Sequence, residues 1–310
     1  AILAPSGHNS QPWEFSVEGN TISLWVNKDR ALAQSDPERR QLLIAMGCAL
    51  ENLLIAADYY GFESEVRYFP IENHDLVARV ALEATGKTSG NRKHLIFQIP
   101  KRRTNRGKYL STPPPQDFLE EIKRLDSELE VAVVSGEPAK TAIADLAVAA
   151  QIEAMESDSF REELSHYIRS NFTRRHTGMP GFTLGIPAPV SLIAHHLIKH
   201  VNLSKKTKDK DEDLLKRHTP AFMILAVPQD TEVYRIRAGR LFERIWLMAT
   251  QRGLSCSPLA APVQTSDYYL HLKKILHINQ RPEVFFRVGR HKELSHNSPR
   301  FPVNEVLLSH

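Results

Sequence analysis

Two long apolar segments of the chain carry the same pattern of glycine and glutamate, with matching residues 192 positions apart. The matched pairs are Gly47 and Gly239, Glu51 and Glu243, and Gly61 and Gly253. A glycine inside a helix costs about 1 kcal/mol relative to alanine, so its recurrence predicts that two helices approach closely. A buried glutamate must be paired, and we expect caps or arginines of the opposite half as partners. The pattern therefore predicts two related half-domains in one chain.

The remaining periodicities predict an α+β fold with central, mostly antiparallel sheets and long buried helices. We expect a hairpin of strands 13–17 and 21–26, strands at 66–69, 77–82, 94–99, 129–134 and 222–227, and helices at 116–125, 138–170 and 190–201. Asp36 and Pro37 are expected to start the first repeated helix, and Asp230 to Glu232 the second, at 233–252. We predict a first half at 1–100, lacking some N-terminal sequence, and a second half at 101–310.

The composition and net charge of the chain indicate which classes of ligand and site to expect. The 310 residues carry a formal net charge of +4, which is too weak to predict a nucleic-acid groove but suits an anionic small ligand. The basic run 205–210 is interpreted as a solvated loop. Two cysteines without metal-binding spacing predict no disulfide or metal and fit a cytoplasmic protein. Because Gly47, Glu51 and Asn52 interrupt the apolar run 44–57, no membrane span is expected.

The polar loop 4–13 reads Ala-Pro-Ser-Gly-His-Asn-Ser-Gln-Pro-Trp. Its small residues would let the backbone approach a flat ligand, and the amides of Asn9 and Gln11 could satisfy the edge of a ring such as a flavin pyrimidine. An ordinary turn between helix and strand is the alternative. The segment resembles the Ala-Pro-Ser-x-x-Asn-x-Gln-Pro-Trp motif of the nitroreductase superfamily. That resemblance implies that Pro5, Ser6, Gly7 and Asn9 cover a flavin bound mainly by the other half.

A second motif, Lys-Arg-Arg-Thr-Asn-Arg at 101–106, combines three guanidinium groups with a hydroxyl, which suits phosphate. It resembles the Arg-x-Ser-x-Arg/Lys signature that holds the FMN phosphate and ribityl chain in nitroreductases. The resemblance gives this role to Arg102, Thr104 and Arg106, with Arg103 beside them. The segment 298–306 resembles the closing Arg-x-Pro-x-x-x-Val segment of the family, which implies that Arg300 returns to the phosphate.

Two further segments receive roles. The turn 253–262 resembles the one whose backbone amides lie near the flavin N5 and O4, which assigns Leu259 and Ala260. The glycine- and proline-rich loop 173–187 is long enough to be an active-site cover, and a solvated loop is the alternative. Four of its residues are candidates for contact with a nicotinamide nucleotide or a substrate: Arg174, Arg175, His176 and Met179. His195, His196 and His200 are interpreted as surface histidines rather than as a metal site.

The resemblance implies an FMN-dependent oxidoreductase with one FMN per chain and NAD(P)H as co-substrate. Electrons would pass by ping-pong hydride transfer through flavin N5 to a nitroaromatic or quinone-like small molecule. The alternative is a protein that stores or sequesters FMN without turnover beneath the loop 173–187. The monomer could suffice because the two halves imitate the family dimer, and a homodimer is equally compatible. No nucleic-acid or membrane partner is expected.

Overall fold

The computed structural model describes residues 1–86, 92–293 and 295–308. The helices are α1 (Arg40–Tyr59), α2 (Gln116–Ile122), α3 (Ala139–Glu156), α4 (Asp158–Tyr167), α5 (Ala188–Ser191), α6 (Ala194–His200), α7 (Ser204–Arg217), α8 (Glu232–Gln251), α9 (Ala261–Gln264) and α10 (Tyr268–Leu276). The strands are β1 (Trp13–Glu18), β2 (Thr21–Val26), β3 (Phe62–Tyr68), β4 (Leu76–Ala84), β5 (Glu130–Val134), β6 (Ile168–Arg169), β7 (Met179–Pro180), β8 (Ala221–Val227), β9 (Ser255–Pro258) and β10 (Arg281–Gly289).

The strands form two four-stranded antiparallel sheets, in the orders β1-β2-β4-β3 and β5-β8-β10-β9, and a short parallel pair of β6 with β7. Each large sheet belongs to one half of the chain, and the buried helices α1 and α8 lie between the halves. The predicted α+β class, mostly antiparallel sheets and long central helices are confirmed. The C-terminal segment crosses back to the first sheet, because Phe15 donates to the Val306 carbonyl at 2.8 Å.

The contact between α1 and α8 is unusually close at the two matched glycines. A β-carbon added to Gly47 would lie 2.1 Å from the Ile236 carbonyl oxygen, and one added to Gly239 would lie 2.0 Å from the Ile44 carbonyl oxygen. These separations are far inside van der Waals contact, so only glycine permits this crossing. The Sγ of Cys48 also reaches the Gly239 carbonyl at 3.2 Å. The predicted reason for the repeated glycine is confirmed.

The two buried glutamates take their partners across the same interface. Arg240 and Arg244 of α8 lie 3.1 and 2.6 Å from the Glu51 carboxylate, and Arg92 lies 3.3 Å from it. Burial opposes ionisation of Glu51, but these three arginines outweigh it and lower its pKa. Glu243 has Arg102 at 3.3 Å and Asn52 at 2.9 Å, and there burial prevails and raises the pKa. The expected pairing with arginines of the opposite half is confirmed for Glu51, through Arg240 and Arg244, whereas the arginine at Glu243 comes from its own half. The repeat is electrostatically asymmetric.

Several local expectations were wrong. The predicted strand 94–99 is a 3-10 helix at Lys93–Gln98, and the predicted loop 205–210 lies within α7. The single helix expected at 190–201 is divided into α5 and α6, whereas the helices expected within 138–170 are present as α3 and α4 and are followed by β6. Strands and helices in 255–289 were not predicted, although the apolar run Val284-Phe285-Phe286 within β10 offered a signal.

Helix α1 begins later than predicted. Arg39 takes a left-handed conformation with φ of 56°, so the regular helix begins at Arg40 rather than at Pro37. The Asp36 carboxylate still caps it by accepting from the amides of Gln41 and Leu42, at 3.1 and 2.8 Å. The predicted cap of α8 is confirmed, since the Thr231 side chain accepts from the Tyr234 amide.

Helix α1 is long and apolar enough, by length and composition, to cross a membrane, although its polar residues were expected to exclude this. Of its apolar window, 83% is buried inside the protein. The central helix of a folded core passes the same test of length and composition. The burial therefore accounts for the apolar character of this helix.

Substituting Gly47→Ala should destabilise the protein by about 1–3 kcal/mol or more, because the added methyl group forces α1 and α8 apart. Urea unfolding followed by circular dichroism measures the change. Gly136→Ala is the matched control, since a β-carbon there meets nothing within 4 Å. Equal stability of the two variants would contradict the close-packing account.

Candidate functional site

Four arginines meet around one cavity of about 190 Å³, which we call the arginine cavity. Its walls are the opening loop, the segment around 99–106, the C-terminal segment 296–300, and two residues of the loop 173–187. Predicted site residues that line it are Pro5, Ser6, Asn9, Arg102, Arg103, Thr104, Arg106, Met179 and Arg300. The fold thus brings together three sequence motifs, of which the first and the last are nearly 300 residues apart in the chain.

Arg102 connects the cavity to the helix core. Its Nε lies 3.3 Å from the Glu243 Oε1, its Nη2 donates to the Leu3 carbonyl at 2.8 Å, and its guanidinium lies 4.5 Å from the centre of the Trp246 ring. The side chain is therefore held by an acid, a carbonyl and an aromatic face at once. Arg102 presents a fixed positive charge to the cavity, already balanced in part by Glu243.

Arg300 is a cation without an acidic partner in ion-pair distance within the described residues. Its Nη1 donates to the Asn9 Oδ1 at 2.6 Å and to the Pro299 carbonyl at 2.9 Å, and its Nη2 donates to the Ala4 carbonyl at 3.2 Å. Its Nε is buried and has no hydrogen-bond partner. Burial, assisted by the charge of Arg102, lowers the Arg300 pKa to about 9. An anion in the cavity would relieve this cost.

Arg103 and Arg106 also lack a carboxylate within ion-pair distance in the described part of the chain. Arg103 donates to the Ser295 carbonyl at 3.2 Å and leaves its Nε without a partner. Arg106 donates to the Thr183 carbonyl at 3.3 Å and lies 3.7 Å from the Met179 sulfur. Thr104 is positioned by a backbone bridge to Cys256 at the end of the second sheet. Three largely uncompensated guanidiniums beside a hydroxyl are a donor set suited to phosphate.

No protein-family model matches the chain. It is 25% identical, over 93% of its length and 82% of the relative, to a Mycobacterium tuberculosis protein with the provisional name NAD(P)H nitroreductase Rv3131. It is 24% identical to PigM of Serratia, also provisionally named an NAD(P)H nitroreductase, over 99% of this chain and 90% of that protein.

The fold gives a separate line of comparison. The crystal structure of a protein from Anabaena variabilis, provisionally described as a nitroreductase, superposes with a TM-score of 0.50 and 12% identity, over 88% of this chain and 69% of that one. Sequence similarity over nearly the whole chain is thus accompanied by a shared fold. The chain is therefore similar in sequence to proteins provisionally named NAD(P)H nitroreductases and shares its fold with a protein provisionally described as a nitroreductase.

The side-chain amides of Asn9 and Gln11, which were predicted to contact the cofactor, form hydrogen bonds within the protein. The Asn9 Nδ2 donates to the carbonyls of Gly178 and Pro299, both at 3.0 Å. The Gln11 Nε2 donates to the His176 carbonyl at 2.6 Å, and its Oε1 accepts from the Phe301 amide at 3.0 Å. These bonds join the opening loop, the loop 173–187 and the C-terminal segment. Gln11 itself does not line the arginine cavity, and its predicted contact with the cofactor stays a prediction.

Three other predicted residues of the nitroreductase pattern also lie outside the arginine cavity. The Leu259 amide donates to the Phe285 carbonyl at 2.9 Å, and Ala260 is exposed to solvent. Gly7 contacts the neighbouring loop, since a β-carbon there would lie 2.9 Å from the Leu32 side chain. Their roles at the cofactor stay predictions.

The loop 173–187 packs against the arginine cavity with only part of its predicted residues. Met179 and Thr183 line the cavity, whereas Arg174 and Arg175 are exposed away from it. The His176 ring packs edge-on against Phe301, with centroids 5.6 Å apart. Among the described residues no group of three potential metal ligands occurs, His195, His196 and His200 included.

His8 lines the arginine cavity, although the sequence analysis gave it no role. Its Nε2 is buried without a hydrogen-bond partner, and its ring lies 5.8 Å from that of Tyr167. Burial, with a smaller contribution from Arg106, lowers the pKa of His8 to about 4, so the imidazole is neutral near pH 7. Its position between Gly7 and Asn9 in the motif was the available signal.

Asn9→Ala should release the loop 173–187, because it removes the bonds to Gly178, Pro299 and Arg300. Buried hydrogen bonds left unmade cost about 1–3 kcal/mol, so trypsin should cut after Arg174 or Arg175 roughly tenfold faster or more. Limited proteolysis with mass spectrometry measures this rate. Asn73→Ala, in an exposed turn, is the control. Unchanged cleavage in Asn9→Ala would show that Asn9 does not hold the loop.

Proposed function

We propose that the protein is an FMN-dependent oxidoreductase of the nitroreductase type that uses NAD(P)H. The observation that carries the proposal is the convergence of Arg103, Arg106 and Arg300 on one cavity beside the opening loop, with no carboxylate in ion-pair distance among the described residues. The FMN phosphate supplies the dianion that this arrangement calls for. The provisional names of the relatives support NAD(P)H as the electron donor.

The hydrogen-bond donors of the arginine cavity fit the phosphate end of FMN. The volume of the cavity limits how much of the remaining cofactor it can hold. Pockets for ligands of this size commonly measure about 300–1000 Å³, and the arginine cavity is smaller, at about 190 Å³. Met179 and Thr183 of the loop 173–187 form part of the enclosing wall. Whole-cofactor binding therefore involves displacement of this loop from its contacts with the opening loop.

The residues of this chain would bind and orient the cofactor. Arg300 and Arg103 would balance the phosphate charge, and Arg102, fixed by Glu243, would add a preorganised donor. The Thr104 hydroxyl would donate to a phosphate or ribityl oxygen. When bound, FMN would supply the two-electron chemistry that joins NAD(P)H to a nitroaromatic or quinone-like acceptor. One FMN per chain, a monomer or homodimer and a cytoplasmic setting remain our predictions.

Storage of FMN without turnover is the second candidate, and one observation favours it. The loop 173–187 is tied to the opening loop by the Asn9 and Gln11 side chains and reaches the cavity through Met179. If this loop stays in place over a bound flavin, a hydride donor cannot enter. The two candidates share the phosphate site and differ in whether the bound flavin can be reduced by a nucleotide.

Arg300→Gln should weaken FMN binding by roughly 10- to 100-fold, since a hydrogen bond to a charged group contributes about 1.5–3 kcal/mol. Quenching of FMN fluorescence during titration measures the affinity. Riboflavin, which lacks the phosphate, should bind the wild type and Arg300→Gln equally weakly. Arg67→Gln, on the exposed face of β3, is the control. If the wild type holds riboflavin as tightly as FMN, the phosphate assignment fails.

Anaerobic addition of NADPH or NADH to the FMN-loaded protein separates turnover from storage. We expect prompt bleaching of the flavin absorbance near its visible maximum, and return of the colour when a nitroaromatic or quinone is added. Dithionite serves as the control, because it reduces accessible flavin without a nucleotide site. Bleaching by dithionite with persistent colour in both nucleotides would favour storage.

A further inference from the structure

A second recess lies behind the loop 173–187, on the side opposite the arginine cavity. This open cleft of about 1120 Å³ is lined by positively charged and imidazole side chains from three parts of the chain. We call it the cationic cleft and define it by Arg30, Arg169, Arg175, His195, His196 and Lys199. It shares no lining residue with the arginine cavity.

The two recesses are lined by residues that are adjacent in the chain. Asn9 lines the arginine cavity and Ser10 the cationic cleft, and the same alternation holds for Arg300 and Phe301. In the loop 173–187, Met179 faces the cavity, whereas Arg175 lines the cleft. Consecutive α-carbons are about 3.8 Å apart, so a ligand in the cleft would lie directly behind the wall of the proposed FMN site.

Arg169 is fixed in the cleft by the backbone around it. It belongs to β6, and its Nε donates to the Thr177 carbonyl at 3.4 Å. Gly178 has φ of 86°, and a β-carbon there would lie 2.8 Å from the Arg169 Nε, so glycine makes room for this side chain. Arg169 and Arg175 have no carboxylate in ion-pair distance within the described residues. Burial, and then the charge of Arg175, lowers the pKa of Arg169.

The two histidines add to the same cluster. The rings of His195 and His196 lie with centroids 4.1 Å apart on α6. Desolvation, followed by His196 and Arg169, lowers the pKa of His195, which places these groups within electrostatic reach of one another. The two imidazoles and the Arg169 guanidinium therefore line one part of the cleft, where their N–H groups can donate to a bound anion.

Two acids, Glu163 and Asp29, also line the cleft. The Glu163 carboxylate accepts hydrogen bonds from the Gln34 amide at 2.8 Å and from the Ser35 amide at 2.9 Å. It is therefore engaged with the loop that follows β2. Lys199 is paired with Glu162 at 2.6 Å, and Asp29 is the other acid that lines the cleft. The uncompensated positive charge is concentrated at Arg169 and Arg175.

We propose that the cationic cleft is a second anion site, which binds a phosphomonoester carried on a small organic molecule. Its volume of about 1120 Å³ exceeds what a single inorganic ion needs and leaves room for an organic ligand. At the wall, the Arg30 guanidinium lies 4.2 Å from the Phe301 ring centre, a planar cation–aromatic pair of the kind against which a base can pack. One source of such a ligand is the 2′-phosphate of NADPH, an assignment that rests on the proposed function; the site itself does not.

Calorimetric titration of the full-length, FMN-treated protein tests the proposal, with 2′,5′-ADP as the probe. We expect 2′,5′-ADP to bind and its affinity to fall about tenfold in Arg169→Gln and in Arg175→Gln, since a tenfold change corresponds to the loss of one charged hydrogen bond. Arg67→Gln, on the exposed face of β3, is the control, because Arg67 does not line the cleft. Arg175→Gln keeps the test valid if Arg169→Gln folds poorly, because Arg175 is exposed.

Two further ligands identify what the cleft recognises. Adenosine should bind far more weakly than 2′,5′-ADP, and inorganic phosphate should bind more weakly than 2′,5′-ADP as well. Adenosine binding as tightly would show that phosphate is not recognised, and inorganic phosphate binding as tightly would show that the organic part is not. Either result would overturn the proposal, as would a wild type that does not bind 2′,5′-ADP.

The Arg300→Gln variant distinguishes the two proposals. If 2′,5′-ADP occupies the cationic cleft, this variant should bind it like the wild type while losing FMN. Loss of 2′,5′-ADP binding in Arg300→Gln would place the ligand in the arginine cavity and overturn the second site. Protein that binds 2′,5′-ADP but not FMN would retain the cleft and reject the proposed function.

Discussion

The close crossing of α1 and α8 is the constraint on which the rest of the structure depends. Both helices have glycine at the crossing, Gly47 in α1 and Gly239 in α8. The two backbones are therefore in contact at a point where a methyl group cannot fit. The crossing sets the distance between the two sheets and leaves each buried glutamate facing the opposite half. Because burial of an unpaired carboxylate costs several kcal/mol, typically about 3–5 when a partner is lost, the interface also requires its arginines. Packing and electrostatics thus fix the same arrangement.

The two halves of the repeat have diverged in charge, and the divergence leads to the candidate site. Glu51 is surrounded by Arg92, Arg240 and Arg244, which lower its pKa, whereas Glu243 has only Arg102 among the arginines at ion-pair distance, and burial raises its pKa. Arg102 reaches from Glu243 to the wall of the arginine cavity. Glu243 therefore contributes both to the buried helix interface and to the position of Arg102 at the arginine cavity. Among the described residues, Glu243 is the repeated glutamate whose arginine partner lines the arginine cavity.

The sequence predicted those parts of the structure that depend on residue type and spacing. Repeated Gly and Glu positions revealed the helix crossing, and clustered arginines with Arg300 revealed the cavity. It could not show how the amides of Asn9 and Gln11 are used, since their partners are carbonyls of Gly178, His176 and Pro299, far away in the chain. The same limit applies to the start of α1, where the left-handed Arg39 overrides the proline signal. Long-range backbone partners and single positive-φ residues leave little trace in local composition.

The loop 173–187 lines both recesses, so a ligand in one recess would influence binding in the other. Residues 175–183 contribute Arg175 to the cationic cleft and Met179 and Thr183 to the arginine cavity, with Gly178 between them held by Asn9. An anion drawn to Arg169 and Arg175 would pull on the same segment that must shift to admit an entire flavin. Binding on one side of the wall then changes the free energy of opening on the other, and by linkage the effect is reciprocal.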